Sequence, residues 1–148
     1  MSGIVCAIRG GPASQITIDK AVALASEKNL PLYFLYVLNL DFLSHTASSR
    51  VRTITEEMRQ MGDFILLIAQ EKALSLGIAA QSMIRQGTVG EEIIAVCREV
   101  SASYVVLGQP LGQEEEDVFT PERILLFSQR IETECGARVV LIKDEPDE

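Results

Sequence analysis

The residues of this chain that could act on a ligand gather between Tyr104 and Ser128. An apolar run over 104–107 stops at Gly108. Gly112 follows, then four consecutive acids over 114–117, then Pro121 and a new helical pattern that carries Ser128. A strand that ends in glycine and leads through a loop to a helix is a common way to hold phosphate. Glycine lets backbone amides approach the oxygens, and the helix start adds a favourable dipole. Here the loop carries acids where such a site wants amides, hydroxyls or bases. Held close to a triphosphate, those acids repel it by several kcal/mol, and by much less where solvent screens them. Gly108 and Gly112 therefore read in two ways, as an anion cradle or as turn glycines. Arg9, just after the first apolar run, either binds an anion or pairs with the acidic loop. Ser14 is a helix cap or a ligand contact, and Ser128 an exposed helical residue or a ligand contact.

Other chemistries lack their parts. His45 is the single histidine and sits in a polar stretch, so neither a histidine-based triad nor a zinc site has partners. No GxSxG elbow, Walker lysine or HExxH pattern occurs, and turnover is not expected. The acidic run lacks the spaced ligands and glycine of a calcium loop. Cys6, Cys97 and Cys135 form no CxxC pair and read as buried, reduced thiols of a cytosolic protein. A formal net charge of -8 argues against nucleic acid and against an anionic membrane surface. No apolar run approaches the ~20 residues that span a bilayer. The expected location is cytoplasmic, with no direct membrane insertion.

The elements that must position these residues follow from periodicity. Hydrophobic content of 47% with 23% charged residues fits a folded domain rather than disorder, and 148 residues fit one domain. Residues 3–8 are continuously apolar, as in a strand covered on both faces. A turn over 9–12 leads to a helix with Ile18, Val22 and Ala25 on one face, ending near Asn29. Strands are expected at 32–38, 78–85, 104–107 and 137–142, of which 78–85 is weaker and nearer a sheet edge. A polar stretch over 39–50 reads as a mobile loop. The longest helix is expected over 53–76, with Ile54, Met58, Met61, Ile65 and Ile68 as its buried stripe and Phe64 also in the core. Thr88 and Glu91 predict a capping box for the next helix. Its apolar face is Val89, Ile93, Val96 and Val100. Thr120 and Pro121 predict the start of the last helix, which buries Ile124, Phe127 and Ile131. Strands and helices alternate, so the fold class is α/β: an open three-layer α/β/α sandwich around a parallel sheet. A single domain covers 1–143, and 144–148 is an acidic tail.

Three stretches in this order resemble the universal stress protein family. IVCAIRGGPAS is similar to the family's opening hVAhDGSxxS pattern, where h is apolar. MIRQGTVGEEIIAVCREVSASYVVLG matches its G-x-x-x-E-E-I … A-D-hhVhG stretch, and LFSQRIETECGARVVLI resembles its ending. The resemblance covers nearly the whole chain. It implies an adenine-nucleotide-hydrolase-like sheet of five strands in the order 3-2-1-4-5, and commonly a homodimer paired through the last strand, here Ala137 to Ile142. An apolar edge there invites pairing with a second chain.

Some family members bind ATP through G-x-x-G, nine residues, then glycine and Ser or Thr, with an acid at the end of the first strand. By resemblance the site would gather Ile8, Arg9 and Gly10 after the first strand, with Val37 in the second and Gly87 after the third. Gly108, Gly112, Phe127 and Ser128 would complete it. This chain departs at each point of the motif. Arg9 stands at the acid position, and Gly108 and Gly112 are one residue too far apart. The following segment is longer and acidic. Phe127 replaces the last glycine, although Ser128 remains. The departures argue against tight binding of ATP with magnesium. The expectation is a dimeric binding or regulatory module with a degenerate ATP motif. The alternatives are an ATP-binding stress sensor with weak or no ATPase activity, and the cytosolic regulatory domain of a membrane transporter.

Overall fold

The short apolar runs at 3–7, 32–38 and 102–108, bounded by turns, form strands, and the segments of three-to-four period form helices. The computed structural model describes residues 3–8, 13–40, 48–108 and 121–142. In chain order the elements are β1 (Gly3–Ala7), α1 (Ala13–Lys28), β2 (Leu32–Leu38), α2 (Ser48–Ser75), β3 (Ala80–Gln86), α3 (Val89–Glu99), β4 (Ala102–Gly108), α4 (Pro121–Cys135) and β5 (Arg138–Ile142). The strands form one parallel sheet in the order β3-β2-β1-β4-β5, the order expected from the sequence, with β3 and β5 at its edges.

The chain moves from β1 toward the β3 edge, then jumps back past β1 to β4 and β5. Right-handed crossovers taken in opposite directions put α1 and α2 on one face of the sheet and α3 and α4 on the other. Alternation along β1 divides the core accordingly. Ile4 and Cys6 pack with Ile18, Val22 and Ala25 of α1. Val5, one residue out of phase, packs with Ile93 and Val96 of α3 and Ile124, Phe127 and Ile131 of α4. Phe34 on β2 is fully buried, and burial of one such side chain is worth about 1.5–3 kcal/mol.

Helix ends fall where left-handed backbone is tolerated. Asn29 follows α1 at φ 56°, and Gly136 follows α4 at φ 73°. Three local expectations do not hold. First, α2 begins at Ser48, inside the stretch expected to be a loop. Second, its buried line is Gly62, Leu66, Ala69 and Ala73 rather than the Ile54–Ile68 stripe. Ile54, Met58 and Ile65 are half-buried, whereas Met61 is 59% exposed, Phe64 63% and Ile68 39%. The cause is close approach. A Cβ on Gly62 would lie 2.7 Å from Tyr36 Cδ2 of β2 and 2.9 Å from Ile84 Cδ1 of β3, so small residues face the sheet and the large ones are displaced outward. Third, Thr88 is the N-cap of α3 but its side chain makes no cap hydrogen bond, and Glu91 turns to Arg130 instead. That contact replaces the expected capping box.

Candidate functional site

A parallel sheet delivers the carboxyl ends of all its strands to one edge, and ligands of such folds sit there, where the strand order reverses. In this chain that point lies between β1 and β4. Ala7 pairs with Leu107 on one side and with Leu35 on the other. The Ile8 amide donates to the Leu35 carbonyl at 2.9 Å, and its side chain is buried in the α1–α2 core. Ile8 therefore anchors the end of β1 and shapes the edge through its backbone.

Gly108 closes β4 beside it, in register with Ile142 of β5. A Cβ on Gly108 would come within 3.0 Å of Thr17 Oγ1. Thr17 is the buried polar side chain among the described residues, 4% exposed. It lies on the turn-by-turn line of Ala21 and Ala25 in α1, both fully buried. Sequence reading passed over Thr17, although the four-residue spacing that marks that line was legible. Gly108 is thus held close to α1 by packing, whatever role it has toward a ligand.

The other strand ends are arranged differently. Val37 is half-buried on the α3–α4 side of the sheet and pairs with Arg85 of β3. The Gly87 amide donates to the Leu38 carbonyl at 2.9 Å, which ties the end of β3 to the end of β2. A Cβ on Gly87 would meet Glu92 Oε2 at 2.6 Å. A carboxylate therefore lies over Gly87, where an anion site would want a donor. Nearby, Arg85 pairs with Glu99; that hydrogen bond raises the arginine's pKa and holds the Glu99 carboxyl below its ordinary value.

The first turns of α4 decide what Phe127 and Ser128 do. Phe127 is 7% exposed and packs in the α3–α4 core, its Cε1 3.1 Å from where a Cβ of Gly90 would stand. Ser128 Oγ donates to the Ile124 carbonyl at 2.7 Å, a bond back along its own helix, and the residue is half-buried. Both residues are engaged in building α4 and seating it on α3. Arg130 fixes that seating. Its Nη1 and Nη2 donate to the two oxygens of Glu91 at 2.8 and 3.1 Å, and its Nε to Glu134 Oε2 at 2.7 Å. Glu134 Oε1 also accepts from Arg98 Nη2 at 3.0 Å. The Arg130 hydrogen bond holds the Glu91 carboxyl below its ordinary value.

Of the residues named from the sequence, the structure brings Ile8 and Gly108 together at the β1–β4 junction, beside the unanticipated Thr17. It places Val37 and Gly87 along the same edge, and Phe127 and Ser128 inside the α4 packing. Arg9, Gly10, Gly112, the acids over 114–117, Thr120 and His45 lie outside the described residues. α1 begins at Ala13, so Ser14 falls within its first turn. Cys6 and Cys97 are buried free thiols and Cys135 is half-buried. Burial pushes the Cys97 thiol up to about 12. Among the described residues no cluster of His, Cys, Asp and Glu could hold a metal ion, and no helix is long and apolar enough to cross a membrane.

Comparison with known proteins agrees with this architecture. The sequence profile of the universal stress protein family matches residues 1–110. Universal stress protein YxiE of Bacillus subtilis is 28% identical over 113 residues, 71% of this chain and 76% of that protein. The fold is similar to universal stress protein UspA from Lactobacillus plantarum, with a TM-score of 0.76 at 14% identity over 95% of this chain and 97% of that one. It is also similar to a universal stress protein solved in complex with cAMP, with a TM-score of 0.68 at 17% identity over 97% and 98% of the two chains.

Proposed function

This chain belongs to the universal stress protein family, and we propose that it is a non-catalytic binding or regulatory module that does not hold ATP tightly. The observation that carries the proposal is the state of Phe127 and Ser128. Where the family's ATP motif has glycine followed by a hydroxyl, this chain has a buried phenyl ring seated on α3 and a serine bonded to its own helix. A phosphate that needs close backbone approach meets a filled core at that position. Glu92 over Gly87 and the acidic stretch 114–117 add like charge. Calorimetric titration with ATP and magnesium tests the reading. The expected result is no saturable heat below about 100 μM, an affinity near −5.5 kcal/mol. A dissociation constant in the low micromolar range or tighter would refute it.

A second reading, an adenine-nucleotide sensor, is favoured by one observation: similarly folded proteins were solved with cAMP and with dAMP. It expects nucleotide to protect residues 108–128 from proteolysis, and unchanged cleavage at saturating nucleotide counts against it. The module is further proposed to dimerise through β5. That strand has a single sheet neighbour, β4, and Leu125 and Leu126 of the preceding helix are 59% and 66% exposed. Sedimentation equilibrium is the measurement, and a monomer throughout a wide concentration range would remove the proposal.

A further inference from the structure

Among the described residues the most unusual surface is on the outward side of α2, the side turned away from the sheet. Met61, Phe64, Leu67 and Ile68 are 59%, 63%, 51% and 39% exposed. Their spacing of three and four places them on one helical face, opposite the Gly62–Leu66–Ala69–Ala73 line that meets the sheet. Together they expose on the order of 400 Å² of largely apolar surface, within the range of the largest patch on a monomer and about half of what one partner gives a standard interface. No described element covers it.

The ends of the stripe say what would fit. Glu57, Phe64 and Glu71 are seven residues apart, so a carboxylate closes the stripe at each end. Along the flank, Arg52 and Arg59 alternate with Glu56 and Asp63 and offset them, so the charge of the face rests on Glu57 and Glu71. Lys72, the nearest cation to Glu71 in sequence, is paired with Asp19 of α1 at 2.9 Å. A second copy of α2 is a poor occupant. Antiparallel pairing centred on Phe64 sets Glu57 against Glu71 of the other copy at both ends, and parallel pairing sets each glutamate against itself. Like charges so placed cost stability instead of adding it.

We propose that the outward face of α2 is a docking surface for an amphipathic helix of another protein, one whose apolar stripe is flanked at both ends by Lys or Arg. Such a helix lays its leucine-type side chains between Phe64 and Ile68 and its cations on Glu57 and Glu71, a helix-on-helix mode of recognition. The surface is separate from the sheet edge of β5 and from the strand ends. Its test therefore stands or fails apart from ATP binding.

The probe is a synthetic helical peptide with leucines on one face and lysines at each end of that face. Its control has glutamates in place of the lysines. Fluorescence anisotropy with the full chain is expected to show one-to-one, saturable binding of the lysine peptide alone. The uncharged double variant Phe64→Ser/Ile68→Ser should weaken it by about tenfold or more. Glu57→Gln/Glu71→Gln should weaken it severalfold and flatten its salt dependence. All four residues lie on the exposed side, and far-UV circular dichroism checks that the variants keep the fold. Equal binding of the two peptides, binding that survives Phe64→Ser/Ile68→Ser, or no saturable binding would each overturn the proposal. So would concentration-dependent self-association abolished by Phe64→Ser/Ile68→Ser, which would give the face to a second copy.

Discussion

Replacement of Gly62 by alanine is a sharp test of how α2 sits on the sheet. Two effects oppose each other. In a solvent-exposed helix the change would stabilise by about 1 kcal/mol, because alanine loses less backbone freedom on folding. At this position the new Cβ would stand 2.7 Å from Tyr36 Cδ2, 2.9 Å from Tyr36 Cε2 and 2.9 Å from Ile84 Cδ1. Carbon atoms at rest sit at about 3.5–4.0 Å, so α2 must lift or the ring must turn. Ile84 can swing its terminal methyl, but Tyr36 presents the side of a rigid ring with two carbons inside 3.0 Å. Overpacking of this kind costs about 1–3 kcal/mol. The clash exceeds the propensity gain, and net destabilisation of about 1 kcal/mol is expected. Urea unfolding followed by far-UV circular dichroism measures it, since the chain has no tryptophan. The decisive arm is the background Tyr36→Leu, which removes the ring. There the same Gly62→Ala change should become neutral or stabilising, because only the propensity term and the mobile Ile84 methyl remain. If Gly62→Ala alone is as stable as the parent, or if Tyr36→Leu leaves its effect unchanged, the account of close approach is wrong.

Other outcomes follow from the same geometry. Phe127→Gly restores the family's glycine but empties a buried site. It should cost roughly 3–5 kcal/mol in chemical denaturation without producing micromolar ATP affinity by titration. Burial raises the pKa of all three thiols. At pH 8 an alkylating reagent followed by mass spectrometry should therefore mark half-buried Cys135 first, and Cys6 and Cys97 only as the chain unfolds. The Glu91 carboxyl is held below its ordinary 4.5 by the hydrogen bond from Arg130. A depressed folded pKa gives stability that is complete above the unfolded value and lost as pH falls through the folded one. Arg130→Met should therefore flatten the acid limb of a stability–pH curve between about pH 5 and 3, leaving its shape above pH 6 unchanged. Gly108→Val should destabilise through contact with Thr17 Oγ1, and Thr17→Ala should recover part of the loss in a double-mutant cycle.

What periodicity in the sequence determined was the set of elements and their alternation around a parallel sheet; the strand order came from the family resemblance. Runs such as LYFLYVL are too short and too uniformly apolar for anything but a covered strand, and alternation with helices then leaves few topologies. The helix faces of α1 and α4 were legible for the same reason. Ile18, Val22 and Ala25, and Ile124, Phe127 and Ile131, recur at three and four and are the residues buried, while Ile16, Leu125 and Leu126 fall off those stripes and are exposed. The sequence also marked the strand ends as the place for a ligand, because glycines there interrupt apolar runs. Only the tertiary structure decided the phase of α2. Its apolar residues wrap more than half of the helix, so periodicity allowed two faces. The choice fell to the close approach of the backbone, which over Tyr36 and Ile84 admits Gly62 but not Met61 or Phe64. Likewise Glu91 could have capped its own helix. It meets Arg130 because α4, thirty-nine residues on, brings a bidentate guanidinium within 2.8 Å. Local patterns fix which contacts an element can make. Which of them it does make depends on the distances that packing sets.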